Sequence, residues 1–153
     1  MKKLIFTLLI FLPSFFAMAQ TQLTEKEGLY YKNEMLYSGK HLEYYDNGNV
    51  RISMEVKDGH KDGGIILYFS NGQKQEVRTY SDGKKSGKWI TWNKEGTKTG
   101  LAFYENNKKD STWHIWDENG TKRFEMYYED GKKTGIWKMW NAEGKLINTR
   151  VFE

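Results

Sequence analysis

From residue 39 onward, short runs rich in aromatic, Thr and Ile residues alternate with short polar stops, and the stops return at a fixed interval. Gly48, Gly72, Gly96, Gly120 and Gly144 lie 24 residues apart, the mark of a repeat architecture. The same offset links Gly39, Gly63, Gly87, Ser111 and Gly135. It also links three side-chain columns, Tyr44, Tyr68, Trp92, Trp116, Trp140; His41, Ile65, Trp89, Trp113, Trp137; and Val56, Tyr80, Tyr104, Tyr128, Phe152; and the turn pairs Asp58-Gly59, Asp82-Gly83, Asn106-Asn107, Asp130-Gly131. About seven to nine residues separate successive stops. That is strand length and too short for a stable helix.

Each unit therefore predicts a β-hairpin, and successive hairpins predict an all-β, elongated, twisted, single-layer antiparallel meander. The Asp46-Asn47-Gly48 pattern suits a type I turn whose third residue takes φ > 0 and forms a bulge, a position glycine fills without strain. Equivalent residues of all units must face the same side. If the Asp-Gly turns are also three-residue turns with a bulge, Trp89, Trp113 and Trp137 share one face with Phe103 and Tyr127. Trp92, Trp116 and Trp140 then share the other with Tyr80, Tyr104 and Tyr128. Five units result, 39–62, 63–86, 87–110, 111–134 and 135–153, preceded by a lead-in and partial repeat over 20–38 with Leu29-Tyr30-Tyr31 as its strand.

The first residues have a different pattern. Lys2 and Lys3 precede an apolar run from Leu4 to Phe16, followed by Ala17-Met18-Ala19. This order predicts a cleavable signal peptide over 1–19 and a secreted or periplasmic protein. The run is too short to span a bilayer as a helix, so no transmembrane segment is expected in the mature form. Cleavage lowers the formal charge from +4 to +2, and no basic excess remains for nucleic acid. The chain has no cysteine, which removes disulfides and thiol chemistry.

The stretch from Gly87 to Lys98, Gly-Lys-Trp-Ile-Thr-Trp-Asn-Lys-Glu-Gly-Thr-Lys, resembles the MORN repeat variant, as does the unit beginning at Gly135. Bacterial proteins built of such repeats are commonly labelled antitoxins of the YwqK type. The resemblance implies a non-catalytic interaction module, with membrane or phospholipid attachment proposed for some members, and it supplies no catalytic residues. The unit beginning at Gly39 departs from the pattern, with His41 in place of tryptophan and Glu34-Met35 where an Asp-Gly turn should stand.

No nucleophile, metal or nucleotide motif is present. His41, His60 and His114 occupy different repeat positions, so no metal site, cofactor or catalytic residue is expected. A regular ribbon offers no deep pocket. The lysine pairs Lys84-Lys85, Lys108-Lys109 and Lys132-Lys133 are expected along one edge, mixed with Asp and Glu. The best binding candidates are the rings: Trp89, Trp113, Trp137, Trp92, Trp116, Trp140, Tyr104 and Tyr128. Rows of exposed rings anchor a protein partner, a second copy included, or stack on sugars. The expected function is a secreted protein-interaction module, antitoxin-like or immunity-like. The alternative is a cell-envelope glycan or anionic-surface binder.

Overall fold

The computed structural model describes residues 23–153, and the expected signal peptide over 1–19 lies outside the described residues. The described chain holds strands and no helix. A small sheet of β1 (Thr24–Lys26), β2 (Leu29–Lys32) and β3 (Met35–Leu36) comes first. The main sheet begins with β4 (Gly39–Tyr44), β5 (Val50–Lys57), β6 (His60–Tyr68), β7 (Lys74–Ser81), β8 (Lys84–Lys85) and β9 (Gly87–Trp92). It continues with β10 (Lys98–Glu105), β11 (Lys108–Trp116), β12 (Lys122–Glu129), β13 (Lys132–Trp140) and β14 (Leu146–Phe152). Each strand pairs antiparallel with its sequence neighbours, β8 and β9 both lying against β7, so the sheet is an open meander of hairpins.

The five stops that end in Gly48, Gly72, Gly96, Gly120 and Gly144, here called Asp-Asn-Gly turns after the first of them, form the expected turn. Gly48 sits at φ 83° and donates its N–H to the Tyr45 carbonyl, and Gly72, Gly96, Gly120 and Gly144 repeat the geometry. Asn47 Nδ2 reaches the Ser70 carbonyl at 2.8 Å and Asn93 Nδ2 the Glu118 carbonyl at 3.1 Å, so the first and third turns lean on the next.

The Asp-Gly turns differ from expectation. Ser81 pairs with Lys84 and Glu129 with Lys132, so these are two-residue turns. Both turn residues have φ > 0, as at Asp82 (47°) and Gly83 (73°), the type I′ signature. Asn106-Asn107 adopts it without glycine, and in the lead-in the turn falls at Asn33-Glu34, one residue before the place the repeat indicated.

A two-residue turn reverses the face alternation, and a compensating reversal occurs once per unit. After each Asp-Asn-Gly turn one residue has no cross-strand partner: Arg51, Gln75, Thr99, Arg123 or Ile147. This single-residue bulge restores the phase. The face assignment is corrected accordingly. Tyr80, Tyr104 and Tyr128 share a face with Trp89, Trp113 and Trp137, whereas Phe103 and Tyr127 lie with Trp92, Trp116 and Trp140.

A second irregularity keeps the phase and widens the strand. Phe103 pairs with Asp110 and Leu101 with His114, so β11 carries two extra residues there. Ser111 (φ 55°) sits in the widened segment, as do Gly63, Gly87 and Gly135, all at positive φ. Among these four positions only Ser111 carries a Cβ.

Among the described residues, all five buried apolar ones, Met54, Val56, Ile65, Met126 and Tyr128, lie on the face of Trp113, here called the core face; the opposite one is the outer face. The lead-in does not continue the ribbon. Leu23, Tyr30 and Tyr37 pack on the Met54, Val56 and Ile65 cluster, so this segment covers the first end of the core face.

Ser111→Gly is expected to stabilise the protein by about 1 kcal/mol by relieving left-handed strain. Gly135→Ala, where an added Cβ would stand 3.5 Å from the nearest atom and has room, is expected to cost about 1 kcal/mol from backbone strain alone. Urea unfolding of the three proteins checks both signs.

Candidate functional site

On the core face the Tyr/Phe column and the Trp column interleave into one stack. Ring centroids follow at 5.5 Å (Tyr80–Trp89), 4.8 Å (Trp89–Tyr104), 5.1 Å (Tyr104–Trp113), 5.3 Å (Trp113–Tyr128), 5.2 Å (Tyr128–Trp137) and 4.7 Å (Trp137–Phe152). The planes are tilted or edge-on, the arrangement ring quadrupoles favour, worth about 0.5–1.5 kcal/mol per pair beyond buried area.

Each core-face indole is also fixed by its nitrogen. Trp89 Nε1 donates to the Thr79 carbonyl at 3.1 Å, Trp113 Nε1 to Phe103 at 3.0 Å and Trp137 Nε1 to Tyr127 at 3.0 Å. Each acceptor lies opposite a widened segment, where the ladder is interrupted. The widening and the tryptophan are thus complementary halves of one device.

The second lysine of each pair covers these rings instead of lining an edge. Lys85 Nζ lies 4.9 Å from the Trp89 centroid and 5.1 Å from Tyr104, and Lys109 Nζ lies 4.4 Å from Trp113 and 4.8 Å from Tyr128. Lys133 takes the same place over Trp137 (4.8 Å) and Phe152 (5.3 Å). An ammonium over a ring face is attractive and keeps its charge in water. Trp89, Trp113, Trp137, Tyr104 and Tyr128 therefore have defined structural partners on the core face.

Trp92, Trp116 and Trp140 line the outer face, half-buried, beside Phe103 and Tyr127. Lys98 Nζ stands 4.4 Å from the Trp116 centroid and Lys122 Nζ 5.6 Å from Trp140. At the β13–β14 end this face also carries Ile136 and Val151, 49% and 69% exposed and paired with each other across the strands.

Between the outer-face tryptophans lies a charge cluster. Glu125 accepts from Lys122 Nζ at 2.9 Å and from the Tyr127 hydroxyl at 3.0 Å, with Lys138 Nζ at 3.5 Å and His114 Nδ1 at 3.7 Å. Its hydrogen bond from Lys122, helped by that from Tyr127, holds its pKa down to about 2. Burial, then the Lys122 charge, lowers the His114 pKa.

A cavity of about 590 Å³ opens on the core face at the other end of the sheet, lined by residues that include Tyr30, Lys61, Ile65 and Arg78. A regular ribbon does not account for it: the first two units have smaller side chains where later units have indoles. Among the described residues no cluster of three or more His, Asp or Glu side chains could hold a metal ion. No helix there is long and apolar enough to cross a membrane.

Two expectations follow. Trp113→Phe keeps a ring but removes the indole N–H bond to the Phe103 carbonyl, costing about 1 kcal/mol in urea unfolding. Glu125 and His114 are both depressed in the folded state, so each contributes stability that is present above its ordinary pKa and lost in acid. His114 contributes fully above about 6.5 and loses its share as pH falls below that value, while Glu125 loses its share between about 4.5 and 2. Glu125→Gln should flatten the lower of these two losses, read as the urea midpoint against pH.

Residues 37–58 match the family model described as MORN repeat variant. Comparison with curated proteins finds no match. The matched segment is the unit that holds His41, and its 24-residue equivalents run through β14. MORN repeat proteins are in general non-catalytic modules, and the match supports a MORN repeat protein with an interaction or binding role.

Proposed function

We propose that this chain is a secreted or periplasmic, non-catalytic interaction module that docks another protein through its outer face. One observation carries the reading: among the described residues, the buried apolar side chains all sit on one face. Trp92, Trp116 and Trp140 on the other face are then not needed to bury the Met54 cluster or to anchor the widened segments. The exposed Ile136–Val151 pair extends this aromatic surface, and aromatic anchors beside exposed aliphatic groups suit a protein partner. Secretion rests on the order of Lys2-Lys3, the apolar run and Ala17-Met18-Ala19. The antitoxin-like reading becomes, for an exported protein, an immunity partner of an exported toxin. A glycan reading has less support, because ring faces at Trp116 and Trp140 already carry lysine ammonium groups.

Affinity capture from envelope extract with the mature protein tests this. Ile136→Lys and Val151→Lys change exposed side chains, so they should lower capture of a discrete protein at least tenfold while leaving thermal unfolding unchanged. Binding to purified envelope polysaccharide without protein, unaffected by these substitutions, would reverse the assignment. A shift to dimer in light scattering, lost in both variants, would identify the partner as a second copy.

A further inference from the structure

The first two units break the repeat at the positions that face the core. The column holding Trp89, Trp113 and Trp137 starts with His41 and Ile65, and the Tyr80 column starts with Val56. The missing rings leave the cavity of about 590 Å³, walled on its far side by Leu23, Glu25 and Tyr30 of the lead-in. That volume falls among ordinary small-ligand sites.

The departures also bring charge onto the core face. Glu43 stands in a column whose later members are Leu67, Thr91, Ile115 and Met139, and Glu76 in the column of Ile52, Gly100, Phe124 and Asn148. Arg78 shares its column with Met54, Ala102, Met126 and Arg150. Arg78 Nη2 donates to Glu76 at 2.7 Å, while its Nε is shielded from solvent and has no partner. A shielded guanidinium N–H without an acceptor is costly, and an acceptor oxygen from outside the chain would satisfy it. Lys61 adds a second cation, its Nζ 5.4 Å from the Tyr30 centroid and 5.7 Å from Tyr80. Met54, Ile65 and Leu67 supply an apolar floor.

We propose that this cavity binds a small monocarboxylic acid with an apolar body. The carboxylate accepts from Arg78 Nε and the Lys61 ammonium, and the body rests on Met54, Ile65 and Leu67. Glu43 is already engaged by Arg51 and His41. With Glu25 it leaves the wall unfavourable to a second negative charge on the ligand. The site is independent of the outer face and therefore of the protein-docking reading.

Phenylacetate, hexanoate and the neutral phenylacetamide are the probes, titrated into the mature protein by calorimetry and by amide and guanidinium NMR shifts. Both acids should bind saturably, with shifts centred on Arg78 Nε–H and Ile65. Phenylacetamide should bind about tenfold more weakly, because charge-assisted hydrogen bonds are the stronger ones. Arg78→Gln should cost the acids about tenfold. Ile65→Trp restores the residue of the later units and should abolish binding with the circular dichroism of a folded sheet. If that variant does not fold, Arg78→Gln and the amide still decide the matter. Equal affinity for acid and amide, shifts centred elsewhere, or no saturation with either acid at low millimolar concentration would overturn the proposal.

Discussion

The bond from an indole N–H to the carbonyl opposite three of the four widened strand segments is the constraint on which the regular part of the sheet depends. A one-layer sheet has no second layer to pack against, so its core must come from side chains standing on its own strands. Two extra residues at Gly87, Ser111 and Gly135 interrupt the ladder, and there the indole N–H adds a donor to the carbonyl of Thr79, Phe103 or Tyr127. The hydrogen bond fixes each ring beside the tyrosines before and after it, and a lysine covers the remaining surface. Stability is then a sum of contacts between neighbouring units, as expected for a repeat array.

The division of labour between faces follows from counting residues. Every two-residue Asp-Gly turn reverses the alternation, and every unpaired residue after an Asp-Asn-Gly turn reverses it again. With both present, Tyr and Trp columns of one unit converge on the core face. With only one, each unit would present its rings on the side opposite to the last and no continuous stack could form. The outer face is therefore free to differ along the chain. It changes from Ile66, Val77 and Ile90 in the middle of the sheet to His114, Glu125 and Lys138 toward its end.

The period, the strand lengths and the Asp-Asn-Gly turns were legible because glycine and Asn leave clear local signals. The faces were not, since Arg51, Gln75, Thr99, Arg123 and Ile147 share no chemistry that marks them as unpaired. The lysines were misplaced for the same reason: only the true phase sets Lys85, Lys109 and Lys133 over rings. The cavity did have a signal in the sequence. His41, Ile65 and Val56 are small side chains in aromatic columns, and in a packed face a smaller side chain leaves room unless something fills it.

The lead-in completes this reasoning. Where the rings are missing, the Met54, Val56 and Ile65 cluster would face water, yet these are among the most buried residues described. Leu23, Tyr30 and Tyr37 cover it, and Tyr30 stands beside Lys61 much as Tyr80 does. Backbone bonds hold the cover in place, Tyr30 N–H to the Gly59 carbonyl and Gly59 N–H to the Tyr37 carbonyl, both at 2.8 Å. The Gly59 bond has counterparts at Gly83, Asn107 and Gly131, each reaching a lysine carbonyl one unit back. The array thus uses its ordinary turn-to-turn contact to attach a cap of different shape. Because that cap replaces rings with a thinner cover, the capped end of the core face is the more hollow, with a cavity of about 590 Å³ against about 270 Å³ at the β12–β14 end.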